Sequence, residues 1–272
     1  MDFSKLSTTS VVKEMDIVDL YNYVQVPNPY KVLPSIQDIL DLIADLHSNL
    51  GLSYSMKVYY SNASVGDMNL DNKIVIIPKF QLEVVYNDID VVKGSSILGS
   101  VYTFYYNNLK SIEYSIAFIE KVLVCSNGSY TSSNILNVKN RFSDINLLRD
   151  MLLLYYSDRS INIYLGNLLK SRELLSKGIS LDEELRILGD MLRKAHTKEH
   201  ILDISIISEA SRYALDSNNP FKRGDNGRSV YDFMQDFTYA MKGTEISTHI
   251  VKNRNLVQYF EKYARCSMLN DQ

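Results

Sequence analysis

The stretch SVYTFYYNNLKSIEYSIAFI, residues 100–119, gives the clearest strand signal in the chain. Its two runs, 100–106 and 111–119, are rich in Val, Ile, Tyr and Phe. These β-branched and aromatic residues favour strands, and the second run begins with alternating polar and apolar positions, the period of a half-buried strand. The stretch therefore predicts two strands of a sheet.

The rest of the first half repeats this strand pattern and contains one helix. Runs of Val, Ile and Tyr bounded by turn residues predict further strands at LSYSMKVYY (52–60), KIVIIP (73–78), FQLEVVY (80–86) and KVLVC (121–125). Apolar residues at helical spacing over 35–50 predict an amphipathic helix. Ser35 with Asp38 resembles a capped start, and Gly51 supplies the stop.

The second half of the chain has the pattern of helices. They are predicted at 142–158, 180–195, 201–215, 229–241 and 248–267, and Ser180 with Glu183 forms a capping box at the start of the second. The stretch SNNPFKRGDNGR (217–228) is dense in Asn, Gly and Pro and predicts a loop. Strands followed by helices indicate an α+β fold, with a mostly antiparallel sheet packed against a helical C-terminal half. We expect one domain, residues 1–272, with a strand-rich half (1–142) and a helical half (143–272).

The composition excludes several classes of protein. Apolar residues make up 46% of the 272, enough to bury a core, and the net charge is −3 with a pI of about 5.8. That balance lacks the strongly basic footprint of a nucleic-acid-binding protein and leaves open only a local basic patch. The two cysteines, Cys125 and Cys266, make no disulfide framework, and neither a signal peptide nor an 18-residue apolar run is visible.

The source and compartment follow from the same composition. Tyr occurs 20 times and Trp not at all, and the frequent Tyr, Asn, Ile and Ser are typical of an AT-rich genome, such as that of a phage or another mobile element. We therefore expect a protein of the bacterial host cytoplasm with no membrane partner.

Candidate catalytic and metal-binding residues are few. His196 and His200 would share one helix face, but the residues between them do not follow the metalloprotease order, and a solvated pair explains them better. Cys125 could act as a nucleophile if a histidine lay beside it, or pack as a small apolar residue at a strand end. No phosphate-binding glycine loop occurs. We expect no enzyme, no cofactor and no metal.

Basic residues provide the candidate nucleic-acid contacts. Such side chains could hold phosphates while nearby Tyr and Phe rings stack on bases, or they could belong to an ordinary solvated surface. The candidates are Lys139, Arg141, Lys222, Arg223, Arg228, Lys252 and Arg254.

Acidic residues provide an alternative. Asp38, Asp41 and Asp45 line one side of the first predicted helix. This is ordinary for an amphipathic helix, but it could also present an acidic patch that mimics nucleic acid toward a basic protein partner.

The segment VLVCSNG (122–128) carries a family resemblance. It resembles the R-x-V-C-S-N-G/T signature of the phage- and plasmid-encoded family known as domain of unknown function 932. The helix VYDFMQDFTYAMKG (230–243) is similar to a second family motif downstream. The chain departs from the family where Lys121 is the nearest basic residue to the signature and where the second motif lacks its histidine. The resemblance covers roughly residues 22–264.

The structural motif of the resemblance is Cys125, Ser126, Asn127 and Gly128. Asn127 and Gly128 both tolerate positive φ and predict a tight turn after the strand, and Ser126 could tie that turn. The family implies no established reaction, but its members resemble proteins that accompany DNA metabolism.

Two functions are therefore open. The first is a phage-encoded, non-enzymatic nucleic-acid-binding protein, such as a single-strand annealing or recombination accessory factor. The alternative is a phage-encoded interaction protein that binds and inhibits a host enzyme, such as a nuclease or defence complex. The expected partners are single-stranded nucleic acid or a host protein, and a homo-oligomer is expected with either.

Overall fold

The computed structural model describes most of the chain in segments. The described residues are 13–15, 33–51, 53–61, 66–70, 73–75, 79–94, 96–108, 111–122, 128–130, 140–197, 199–224, 227–241 and 246–270.

The first half forms antiparallel strands. Their bounds are β1 Lys13–Met15, β2 Tyr54–Ser61, β3 Gly66–Leu70, β4 Lys73–Val75, β5 Lys79–Val92, β6 Ser96–Asn108, β7 Ser111–Val122, β8 Gly128–Tyr130 and β9 Asn140–Phe142. Seven of them make one sheet in the order β1-β2-β5-β6-β7-β8, with β9 also paired to β7, whereas β3 and β4 pair with each other. The three long strands β5, β6 and β7 are consecutive neighbours in this sheet.

The register of the long strands separates two faces of the sheet. Leu82 of β5 is paired with Tyr102 of β6, which is paired with Ile116 of β7, and all three side chains are buried on one face. Successive residues of a strand point to opposite faces, so the even-numbered positions of these strands supply this side of the core. The reverse face carries a smaller cluster of Val101, Ala117 and Ile119.

The helices lie almost entirely in the second half. Their bounds are α1 Ile36–Asn49, α2 Ile145–Tyr155, α3 Asp158–Leu175, α4 Leu181–Ala195, α5 Ile204–Ala214, α6 Val230–Ala240 and α7 Ile246–Asn270. A short antiparallel pair, β10 (Gly178–Ile179) and β11 (Arg228–Ser229), brings the start of α4 beside the start of α6.

Two apolar clusters form the interior. The first joins the even face of the sheet to α1, α2 and the first half of α3, ending at Leu168. The second begins with Leu175 at the end of α3 and is built by α4, α5, α6 and α7. The helix α3 therefore contributes side chains to both clusters, and α7 reaches β5, β6 and β8.

Local signals placed most helix ends correctly. Ser35, Ser180 and Ser229 each cap a helix, and the carboxylate of the acidic residue three positions later accepts a hydrogen bond from the backbone N–H of that serine. Gly51 adopts a φ of +66° just after α1, in the left-handed region that glycine tolerates. The predicted α+β class, strands first and helices afterwards, is confirmed.

Two parts of the strand and helix prediction were wrong. The runs predicted as separate strands at 111–119 and 121–125 belong in part to one strand, β7, which runs through to Val122. The helix predicted at 142–158 ends at Tyr155, and a second helix, α3, follows at once. Beyond Asp158 no prediction covered α3, because its apolar residues are only weakly confined to one side and Gly166 interrupts its sequence.

Candidate functional site

The loop predicted to hold phosphates is tied instead to a buried ion network. Arg228 donates from Nε and Nη2 to the two carboxylate oxygens of Glu184, at 2.8 and 2.9 Å, and from Nη1 to Asp236 at 2.7 Å. Only 3% of the Arg228 side chain is exposed, with 7% of Glu184 and none of Asp236. The guanidinium is therefore held by two carboxylates inside the protein.

Further polar residues of the same loop complete this network. Arg223 donates to Glu184 and, at 2.8 Å, to the carbonyl of Ile179 in β10. Asn219 donates to Asp236 at 2.7 Å and accepts from the backbone of Phe221. These bonds hold the described part of the 217–228 loop against α4 and α6.

Burial dominates the electrostatics of Asp236. Loss of water around the carboxyl raises its pKa to about 6, although the neighbouring Arg228 guanidinium acts in the opposite direction. The network is therefore a structural ion cluster of the kind that is costly to break because its charges lie away from water.

The other predicted basic residues whose side chains are described take no part in this network. Lys222 is exposed and donates to the carbonyl of Ser217 at 2.9 Å. Lys252 of α7 pairs with Asp203, the N-cap residue of α5, at 2.7 Å. Arg254 is half-buried, and its Nε atom is buried with no hydrogen-bond partner found among the described residues.

Two of the predicted residues lie at the margin of what is described. Lys139 is outside the described residues, and Arg141 is described only as a backbone position of β9 paired with Glu113 of β7. The phosphate-binding role of both stays a prediction.

The cysteine motif is also largely outside the described residues. Cys125, Ser126 and Asn127 fall in the gap 123–127, and Gly128 begins β8, with its backbone paired to Lys121. The tight turn predicted at Asn127-Gly128 therefore stays a prediction, although the chain does reverse from β7 into an antiparallel β8.

The histidine pair has ordinary surroundings. His196 is exposed at the end of α4, and His200 pairs with Asp203 at 3.2 Å. Within the described segments, no three His, Cys, Asp or Glu side chains are grouped as a metal ion would require.

A buried polar network around His47, in the core beside the sheet, was not predicted from the sequence. His47 of α1 is fully buried, and its Nε2 lies 2.8 Å from the Tyr102 hydroxyl, while its Nδ1 lies 3.4 Å from the Tyr86 hydroxyl. The Tyr102 hydroxyl also bonds that of Tyr156, and the Tyr86 hydroxyl lies 3.1 Å from Ser100. The signal available in the sequence was a histidine on the apolar face of α1.

Burial keeps this histidine neutral. It lowers the pKa of His47 from 6.5 to about 4, since the charged imidazolium would lose its hydration in the core. The first apolar cluster encloses this network, so its polar groups bond to one another and not to solvent. Such a network fixes how the core side chains pack, and it is not a ligand-binding site.

The outer surface of α1 carries the acidic residues that the sequence singled out. Asp38, Asp41 and Asp45, here called the acidic stripe, are exposed on the side opposite the residues that α1 buries. Asp38 is engaged in the capping box, and Asp41 accepts from Gln37 at 2.7 Å. The acidic stripe therefore faces solvent.

The neighbouring helix presents exposed apolar side chains. In α2, Leu147 is 54% exposed, Leu153 54% and Leu154 69%. Because α1 and α2 contact each other and both join the first apolar cluster, these α2 leucines and the acidic stripe belong to the same outer helical layer. Exposed leucines of this kind mark surfaces that bind other proteins when they lie close together.

Comparisons with known proteins provide no further guide. No protein-family model, no curated protein and no solved structure matches the chain. The resemblance to domain of unknown function 932 therefore stays a prediction. Among the described helices, none is both long and apolar enough to span a membrane.

Proposed function

We propose that this protein acts without catalysis, by binding a basic protein partner through the outer helical layer of α1 and α2. The observation that carries the proposal is that two helices in contact, α1 and α2, expose an acidic stripe and several leucines respectively. A surface of this kind combines apolar area, which contributes affinity, with carboxylates that select and orient a positively charged partner.

The chemistry of the surface indicates the class of partner. Enzymes that act on nucleic acid carry basic surfaces to hold phosphates, and a row of carboxylates competes for the same surface. A host nuclease or defence complex therefore fits the proposal, with the protein as its phage-encoded inhibitor.

The nucleic-acid hypothesis has less support from the geometry. Arg223 and Arg228 bond to internal carboxylates, and Lys252 pairs with Asp203. A cation held in this way is not available to a phosphate without breaking its existing pair. Lys222 is the exposed basic residue of the loop, and a single cation contributes little to binding a polyanion.

A capture experiment with matched variants tests the proposal. The bait is the full chain, and the lysate comes from the cells that naturally produce or host it. Asp41→Lys with Asp45→Lys reverses the charge of the acidic stripe and leaves the Ser35–Asp38 cap intact. Leu154→Glu places a charge on the apolar side. The control is Leu215→Glu, because Leu215 is 88% exposed at the end of α5.

We expect one polypeptide to bind stoichiometrically to the wild type and to the control, and to be lost from both surface variants. Raising the salt from about 0.05 to about 0.3 M should weaken the complex, because it shortens the range of the charge interaction. A partner that still binds the charge-reversed variant contradicts the proposal. So does a salt-sensitive shift of single-stranded DNA by the purified protein with no protein partner recovered.

A further inference from the structure

Helix α4 carries a row of leucines on its outer side. Leu181, Leu185 and Leu192 are 56%, 58% and 42% exposed, and Leu188 lies between them, partly buried. These four residues, here called the α4 leucine stripe, fall within one narrow sector of the helix, because each is separated from the next by three or four residues. The stripe is about 16 Å long, at a rise of 1.5 Å per residue.

The other sides of α4 are already occupied. Glu184, Ile187 and Met191 are buried in the second apolar cluster or the ion network beside it. Glu183 and Asp190 accept hydrogen bonds from Tyr263 and Tyr259 of α7, at 2.8 and 2.9 Å. The helix is thus anchored on two sides, and the leucine stripe is left on the exposed side.

The spacing of the stripe is the same in both directions. The intervals are four, three and four residues, so reading the helix backwards gives the same pattern. Leucines with these intervals form the seam between paired helices, where side chains interlock. When two copies of α4 pair antiparallel, Leu181 of one faces Leu192 of the other, and Leu185 faces Leu188.

The charges along the stripe select this orientation. Asp182 and Arg193 are both exposed and lie on the same flank of the stripe, near its opposite ends. Within its own helix Arg193 donates to Asp190 at 2.6 Å, but its side chain is 74% exposed, and an exposed pair of this kind is weak enough to leave the guanidinium open to a second carboxylate. A two-fold axis that makes two helices antiparallel places this flank of one copy beside the same flank of the other. Asp182 of each copy then meets Arg193 of the other, whereas a parallel two-fold pair would put the two copies of this flank on opposite sides of the seam, where Asp182 and Arg193 do not meet.

Gly189 supports close approach on the same flank. It is exposed, and a Cβ atom built on it would meet nothing within 4 Å. Small residues at a helix interface let the two backbones approach and the leucines interlock.

We infer that α4 is a self-association surface, on which a second copy of this chain packs antiparallel in a two-fold symmetric dimer. The inference goes beyond the proposed partner binding, since it uses a different helix and does not depend on it. Four leucines of one helix bury less area than a standard protein interface, so we expect a weak dimer that forms only at high protein concentration.

Sedimentation equilibrium of the full chain tests the inference. We expect a monomer–dimer equilibrium between about 1 µM and about 1 mM, and a roughly tenfold or greater loss of association in Leu185→Glu. Leu215→Glu, with its leucine exposed on α5, should associate like the wild type. A wild type that stays monomeric throughout this range, or a Leu185→Glu variant that associates unchanged, overturns the inference.

A charge exchange confirms the contact without touching the leucines. Asp182→Lys and Arg193→Glu should each weaken the dimer, and the double variant should recover association. If the double variant instead associates more weakly than either single variant, by the sum of their two losses of association free energy, the two residues do not meet.

Cross-linking tests the orientation. In a background of Cys125→Ser and Cys266→Ser, Leu181→Cys and Leu192→Cys should form a disulfide when the two variants are mixed, and neither should do so alone. Antiparallel pairing separates two copies of residue 181 by about 16 Å, too far for a disulfide. Cross-linking of each variant with itself, and none in the mixture, would overturn the antiparallel arrangement.

Discussion

At the scale of single residues, the same side-chain type has opposite roles in different surroundings. Arg228 belongs by sequence to a basic loop, yet it lies buried between Glu184 and Asp236. Arg212, on the exposed side of α5, pairs with Glu209 three residues earlier. Both arginines have a carboxylate partner, but only Arg228 is buried. We therefore expect the fold to depend on the Arg228 pairs and not on the exposed Arg212 pair.

Arg228→Ala should therefore destabilise the fold. Its removal leaves two buried carboxylates without their cation, which costs about 3–5 kcal/mol in comparable buried pairs. The measurement is the free energy of unfolding from urea denaturation at pH 7. Arg212→Ala is the control and should unfold almost like the wild type, and a similar loss in both variants would contradict a special role for the buried network.

His47 should make stability depend on pH. In the unfolded chain the imidazole binds a proton below its ordinary pKa of 6.5, whereas in the folded protein burial lowers the pKa to about 4. Between these values the unfolded state binds more protons, so stability from this group is complete above pH 6.5 and falls as the pH falls toward 4. The loss across the window is about 3 kcal/mol.

Urea denaturation at pH 7 and at pH 4 measures this effect. The His47→Gln variant should lose less stability on acidification than the wild type, by about the amount assigned to the histidine. His196→Gln, at an exposed helix end outside the buried network, is the control for the loss of one imidazole. Equal pH dependence in wild type and His47→Gln would show that His47 is not the group concerned.

At the scale of elements, close packing and helix propensity act in opposite directions on glycine. Gly99 lies inside β6, where an added Cβ would meet the carbonyl oxygen of Val84 at 2.9 Å and the Ile119 side chain at 3.1 Å. Gly166 lies inside α3, where an added Cβ would meet nothing within 4 Å. Gly99 therefore allows the backbones of β5 and β6 to lie close together, whereas no neighbouring atom requires a glycine at position 166.

These two glycines predict opposite results for the same substitution. Gly99→Ala should destabilise the protein by about 1–3 kcal/mol, because the rigid backbone of β5 cannot move aside. Gly166→Ala should stabilise it by about 0.5–1 kcal/mol, since alanine loses less backbone entropy in a helix. Thermal unfolding of the two variants beside the wild type checks both, and a shift of the same sign would contradict the packing argument.

At the scale of the whole molecule, α3 connects the two apolar clusters. Leu168 packs with the sheet and Leu175 packs with the helical cluster, within one continuous helix. Arg172, between them, lies 3.6 Å from Glu120 of β7 and 3.2 Å from the ring centre of Tyr231 in α6. Unfolding of α3 would therefore disrupt both apolar clusters at once.

Thermal unfolding should consequently be a single cooperative transition. Far-UV circular dichroism follows the helices. Near-UV circular dichroism follows the tyrosines, many of which are buried in the first apolar cluster, between the sheet and its helices. The two signals should coincide at one midpoint. Two separated transitions would show that the strand-rich and helical halves fold as independent units, against the single domain predicted from sequence.

Features that depend on neighbours along the chain could be predicted from the sequence. Strand and helix order, the Ser35 and Ser180 caps and the outward face of α1 follow from local spacing, because hydrogen bonds within a turn and one-sided burial leave a periodic pattern. Helix α3 was missed for the same reason, since its apolar residues are less confined to one side than those of α1.

Contacts between side chains of distant segments could not be predicted from the sequence and are given by the folded structure. Arg228 meets Glu184, 44 residues away, and His47 meets Tyr102, 55 residues away. Basic residues in a loop have the same local pattern whether they face solvent or a carboxylate, and a helix shows its apolar face but not how much of it the core covers. The buried network and the exposed leucines of α4 therefore became visible only when long-range packing placed each side chain among its neighbours.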